Sequence, residues 1–261
     1  MTIQYITMKN HFIFPYAGNK REEVEIIHEF IKDKLEGIDT IIEPFCGTSA
    51  ISCYLSQLYP KKYKYILNDL DSNLIELYNV MKDKDKFQKF SDEFQTILKT
   101  ITNKDIYLGI TKQPTLMAWF IKNKVCKIRP GLSPEIFNFT TNKYLLKDIG
   151  IINFLLNEDV TITCGDGTDI IKSKQNNSNC LFFIDPPYIM SYNLFYEAQK
   201  TNIYEFFKDN DIGAFASSVV LVLEDNWIIR VIFKSFIKQS YDKQYKNAQR
   251  KKTNHIIIMN K

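Results

Sequence analysis

Glycine and proline are scarce, at nine and eight residues in a chain of 261. That excludes collagen-like, linker-like and proline-rich architectures, and no internal repeat or low-complexity segment is visible. Cysteine is equally uninformative as a scaffold. Cys46, Cys53, Cys126, Cys164 and Cys180 are odd in number and contain no C-x-x-C pair, so neither a disulfide frame nor a zinc site is expected. Three of the five sit inside apolar stretches and read as reduced, mostly buried thiols. The three histidines, His11, His28 and His255, are scattered, and no metal is expected from them. No stretch approaches the ~20 apolar residues of a membrane span, and the N-terminus has no continuous apolar signal core. The expectation is a soluble, cytoplasmic protein with no membrane partner.

Charge of one sign is also lacking overall. The formal net charge is +4, too small to name a partner. Its distribution says more. Lys234, Lys238, Lys243, Lys246, Arg250, Lys251 and Lys252 fall in one stretch whose single acid is Asp242. Such a cluster is either a polyanion-facing surface or a solvated basic tail. Aromatic content is high at 14%, which suits core packing and equally suits surfaces that stack on bases.

What is present is a series of short apolar runs alternating with helical periods. Residues 40–47 (TIIEPFCG) read as a buried strand entering a turn, and 48–59 as a helix capped by Thr48 or Ser49. Residues 62–69 form a second strand, and 72–81 a helix with Ser72 as its N-cap. Strand character returns at 160–166, 180–185, 217–223 and 254–260. Residues 226–236 fit a helix with Trp227, Ile228, Val231 and Ile232 on one side. The alternation predicts an α/β fold: a Rossmann-like, mostly parallel sheet with flanking helices and a closing antiparallel hairpin. Between residues 83 and 158 it lapses into a mainly helical insert, marked by Phe87, Phe90, Phe94, Ile97 and Leu98.

Ligands of open α/β sheets bind beyond the carboxyl ends of the strands. Here those ends carry unusual residues: Glu43-Pro44-Phe45-Cys46-Gly47, then Asp69, then Gly165-Asp166, then Asp185-Pro186-Pro187-Tyr188. A single strand-end acid is more often a helix cap or a solvated turn. GxGxxG is absent, because Thr48, Ser49 and Ala50 follow Gly47, so a pyrophosphate would find few backbone donors. A nucleoside ligand without phosphates fits better, S-adenosylmethionine being the common one.

Together these segments resemble the Dam-type, α-group DNA adenine-N6 methyltransferases. The ordered motifs are FPYAGNK (14–20), EPFCGTSA (43–50), LNDLD (67–71), CGD (164–166), DPPY (185–188) and the closing RKKTNHIIIMN (250–260). Thr48-Ser49 stand where the family often carries a second glycine. The resemblance implies a methyltransferase domain over 1–82 and 159–261 with a target-recognition insert over 83–158. It also implies methyl transfer from S-adenosylmethionine, with S-adenosylhomocysteine as product, to the N6 amine of an adenine flipped out of duplex DNA. Asp185 and the Pro186 carbonyl would accept the amine's N–H bonds, and Tyr188 would stack on the base. Tyr16, Gly18 and Lys20 would lie near the methionine end of the cofactor. Glu43, Phe45, Gly47 and Asp185 would line it, Asp69 would bind its ribose and Asp166 its adenine amine. For DNA, the candidates are Lys122, Lys124, Lys127, Arg129, Tyr192, Asn193, Lys246, Arg250 and Lys251, and a monomer is expected. Rival readings are methylation of cytosine N4 or RNA adenine, or a non-catalytic DNA-binding relative.

Overall fold

Seven strands form one sheet: β1 (Thr40–Glu43), β2 (Lys64–Asp69), β3 (Asp159–Cys164), β4 (Cys180–Ile184), β5 (Ser218–Glu224), β6 (Ile237–Gln244) and β7 (Lys252–Met259). Their order across the sheet is β3-β2-β1-β4-β5-β7-β6. The first five are parallel, while β7 runs antiparallel to β5 and to β6. The computed structural model describes residues 11–14, 16, 18–125, 146, 149–186, 203–244 and 252–260.

The central strands are continuously apolar because both sheet faces are covered. Every residue of β4 is buried. Alternation then divides the side chains between two cores. Ile41, Leu181, Phe183, Val220, Val222 and Ile257 face one cluster; Ile42, Phe182, Ile184, Leu221, Ile256 and Ile258 face the other. Against the first pack α1 (Val24–Ile31), α2 (Ala50–Leu58), α3 (Ser72–Met81), α4 (Lys84–Thr100), α5 (Lys104–Thr111), α6 (Leu116–Val125) and α7 (Gly150–Asn157). Against the second pack α8 (Gly167–Lys174), α9 (Ile203–Asp209) and α10 (Trp227–Ile232). The expected α/β class, parallel sheet and closing hairpin are all present. Phe90, Phe94 and Leu98 are the buried stripe of α4, and the Phe94 ring meets Phe120 of α6 edge-on at 5.0 Å. No helix among the described residues is long and apolar enough to cross a membrane.

Several local expectations are corrected. Asp71, not Ser72, is the N-cap of α3, its carboxylate accepting the Asn73 and Leu74 amides at 3.0 and 3.3 Å. Ser49 occupies the N-cap position of α2 but makes no capping bond, because its backbone is left-handed (φ 48°). The helix expected over 226–236 stops at Ile232, and its apolar side faces out: Trp227 is 74% exposed, with Ile228, Val231 and Ile232 also exposed. Ile229 and Phe233 pack inward instead. The first half of the basic stretch is the edge strand β6 rather than a tail.

Candidate active site

The strand order places the site. From β1 the chain steps outward to β2 and β3, then returns and steps the other way through β4 and β5. The reversal lies between β1 and β4, where doubly wound sheets leave a crevice at their carboxyl edge. Beyond β1, Gly47 turns the chain at φ +48°, a conformation glycine adopts without strain. The turn is tied to the neighbouring strand end. Cys46 N donates to Asn68 O at 2.8 Å, and Gly47 N donates to Asp69 Oδ2 at 2.9 Å. Asp69 Oδ1 accepts the Asp71 amide at 3.1 Å. Burial raises the Asp69 pKa from its ordinary value, against the opposing effect of these amides.

Asn68 was not anticipated, although it stands inside the LNDLD segment. Its buried amide donates to Pro44 O at 3.0 Å and to Gly165 O at 2.9 Å, and its Oδ1 accepts from Thr163 Oγ1 at 2.9 Å. One side chain therefore ties the exits of β1, β2 and β3 together. Gly167 was missed as well. A Cβ there would fall 2.7 Å from both the Phe45 ring and Pro44 O, so only glycine lets α8 approach the β1 exit. Asp166 caps that helix, its Oδ1 accepting from Thr168 N and Thr168 Oγ1 at 2.9 Å each.

The turn after Gly47 is held from two sides. Tyr78 Oη donates to Gly47 O at 2.6 Å and lies 3.2 Å from Ser49 Oγ. His11 Nε2 is 2.6 Å from Thr48 O. Burial lowers the His11 pKa to about 4, so the neutral ring donates to that carbonyl. The Tyr16 ring stands over Gly47, 3.5 Å from where a Cβ would project. Tyr16 therefore covers the β1 turn.

Across the crevice, Asp185 follows β4 and is ion-paired to Lys20, which also donates to Gly18 O at 3.1 Å. Lys20 and Pro186 are buried and Asp185 half-buried. Glu43 is buried and accepts the Ser52 amide at 3.0 Å. Burial raises its pKa to about 8, with the charge of Asp185 adding to the effect, so Glu43 is a neutral acid at pH 7. Tyr16, Gly18, Lys20, Glu43, Phe45, Gly47, Asp69, Asp166, Asp185 and Pro186 all lie among the described residues, on the strand exits or the segment covering them. Tyr188, Lys127, Arg129, Tyr192, Asn193, Lys246, Arg250 and Lys251 lie outside the described residues.

The remaining two differ. Lys122 is exposed on α6. The Lys124 ammonium turns inward to Ile13 O, and burial lowers its pKa to about 8, so it ties α6 to the chain before Tyr16 rather than facing a phosphate.

The sequence matches the family described as D12 class N6 adenine-specific DNA methyltransferase over residues 16–130 and 132–253. The chain belongs to that family. Among solved structures, the N-terminal domain of human METTL16 in complex with SAH aligns with 97% of this chain and 74% of its own, at 8% identity and a TM-score of 0.39. The rRNA methyltransferase aviRa from Streptomyces viridochromogenes aligns with 98% and 93%, at 12% identity and a TM-score of 0.42. Both likenesses are too distant to inform the chemistry of the site. No curated protein matches the sequence. In this D12-class chain no group of metal-binding side chains occurs among the described residues. Cys46, Cys53 and Cys180 are buried free thiols, and Cys164 is exposed.

Proposed function

We propose that this D12-class methyltransferase transfers a methyl group from S-adenosylmethionine to the N6 amine of an adenine flipped out of duplex DNA. The observation that carries this reading is the seating of Asp185 and Pro186 at the switch point, beside the β1 turn and on the Lys20 ammonium. The donor set fits a nucleoside without phosphates. The Cys46 and Gly47 amides are already committed to Asn68 and Asp69, so the turn offers no cradle for a pyrophosphate. Each carboxylate oxygen of Asp69 keeps acceptor capacity for ribose hydroxyls beyond the one amide it accepts. Asp166 would meet the adenine amine of the cofactor, and Tyr16, Glu43, Phe45, Gly47 and Asp185 would line it. Lys20 and Gly18 would meet its methionine end.

The bound cofactor supplies an electrophilic methyl group. The chain's own residues prepare the nucleophile. The exocyclic amine of adenine is weak because its lone pair is delocalised into the ring. Asp185 and the Pro186 carbonyl, accepting the two N–H bonds, would draw the nitrogen toward tetrahedral geometry and free that lone pair. The prolines at 186 and 187 restrict the backbone that presents the carbonyl, so little reorganisation is needed at the moment of transfer. Hydrogen bonds to a charged acceptor contribute roughly 1.5–3 kcal/mol each. Tyr188 would hold the extruded base by stacking, worth about 1–3 kcal/mol.

Residues 1–82 and 159–261 would form the methyltransferase domain, and 83–158 the target-recognition insert. Lys122, Lys127, Arg129, Tyr192, Asn193, Lys246, Arg250 and Lys251 are the proposed DNA contacts. The missing second glycine does not favour a non-catalytic relative, because Ser49 takes the left-handed conformation that a glycine would supply. The test is to incubate a plasmid with protein and S-adenosylmethionine and to map modified bases. N6-methyladenine at one recurring sequence is expected. Absence of methylation, with no heat on calorimetric titration of S-adenosylmethionine, would overturn the reading.

A further inference from the structure

Glu23 stands at the N-cap position of α1, immediately after the segment that carries Lys20, and its amide donates to Lys20 O at 2.8 Å. Its carboxylate is buried, yet it gathers three partners from the closing hairpin. Tyr241 Oη donates at 2.5 Å, His255 Nδ1 lies at 3.2 Å, and the Lys243 ammonium forms an ion pair with the other oxygen. Burial opposes ionisation of Glu23, but the His255 contact and the charges of Lys20 and Lys243 outweigh it and hold the pKa at about 2. Lys243 is only 11% exposed, although it belongs to the basic stretch. Lys20 and Asp185 both act on it electrostatically, so its ammonium sits within the field of the proposed acceptor carboxylate. Two lysines and two acids thus link β6, the start of α1 and the exit of β4.

We infer that Lys243, seated on Glu23, is a positioning residue for methyl transfer. It fixes strand β6 against the segment whose Lys20 holds Asp185, and so sets the place of the acceptor carboxylate. Lys243 itself touches neither substrate nor cofactor. The inference rests on the proposed methyltransferase activity.

The test compares the wild type, Lys243→Met, Lys243→Arg and the double variant Glu23→Gln/Lys243→Met in plasmid methylation. Binding of S-adenosylmethionine, binding of DNA and thermal stability are measured in parallel. Wild-type methylation is the precondition; its absence counts against the function, not against this inference. For Lys243→Met we expect a fall in kcat of about tenfold or more, with affinities for S-adenosylmethionine and DNA within about twofold of wild type. Lys243→Arg, which reaches the same carboxylate, should recover most of kcat. Lys243→Met leaves the buried Glu23 carboxylate with Tyr241 and His255 but without its ion pair, and the double variant removes that charge, so its melting temperature should recover toward wild type while kcat stays low. A folded Lys243→Met protein with unchanged kcat would overturn the inference. So would a double variant in which kcat recovers together with stability.

Discussion

At the scale of single residues, the site is held by side chains whose energies oppose one another. Ser49 is wholly buried in a left-handed conformation that costs a non-glycine residue about 1 kcal/mol or more, and its contact with Tyr78 offsets part of that. Ser49→Ala keeps the strain and loses the contact, whereas Ser49→Gly loses both. Ser49→Gly should therefore be the more stable of the two by about 1 kcal/mol in chemical denaturation, and equal stabilities would contradict this account. Two buried groups contribute to the pH dependence of folding on either side of neutrality. Glu43 is held at about 8 against an ordinary 4.5. Between those values the unfolded chain gives up a proton that the folded chain keeps, so stability falls as pH rises through that window. His11 is held at about 4 against 6.5. The unfolded chain takes up a proton as pH falls through 6.5 while the folded ring stays neutral, so stability also falls toward acid. Glu43→Gln keeps an acceptor for Ser52 and removes the first effect. Thermal melts of the apoprotein should show a gain of about 3 kcal/mol at pH 7 but less than about 1 kcal/mol at pH 5. A gain equal at both pH values would argue against a neutral buried Glu43.

At the scale of elements, the parallel strands and their acidic exits were legible because a buried strand is a short apolar run that ends where Gly, Pro or Asp begins. The contacts that draw those exits together were not legible. Asn68 and Gly167 stand in or beside motifs, but they and Glu23 act through residues up to 232 positions away, which local sequence does not reveal. Strand β6 was hidden because it lies at the sheet edge, carries few apolar residues, and shows its register only through Tyr241 and Lys243 turning inward. The helix α10 was legible in type but not in orientation: its apolar side was evident, yet the residue that packs is Ile229. Ile229→Ala should thus cost about 2–4 kcal/mol, and Ile228→Ser less than about 0.5 kcal/mol, by urea unfolding. The reverse order would place the helix wrongly. Gly167→Ala should push α8 away from Phe45 and cost about 1–3 kcal/mol, with weakened S-adenosylmethionine binding by calorimetry. An unchanged affinity would show that the α8–Phe45 approach does not shape the cofactor site.

At the scale of the whole molecule, one sheet carries the proposed chemistry at its switch point and the basic hairpin at its far edge. The core face that packs Phe14 and Tyr16 also holds the helices between residues 84 and 125. On the proposed mechanism, adenine-specific methyl transfer depends on one carboxylate at the exit of β4. The most direct test is the rate of N6-methyladenine formation on a plasmid by Asp185→Ala beside the wild type, with S-adenosylmethionine binding measured on both proteins. Loss of a group that stabilises the reacting amine should lower the rate at saturating S-adenosylmethionine by about 100-fold or more, over and above any loss of cofactor affinity from removing a carboxylate that lines it. Methylation by Asp185→Ala at the wild-type rate would contradict the mechanism.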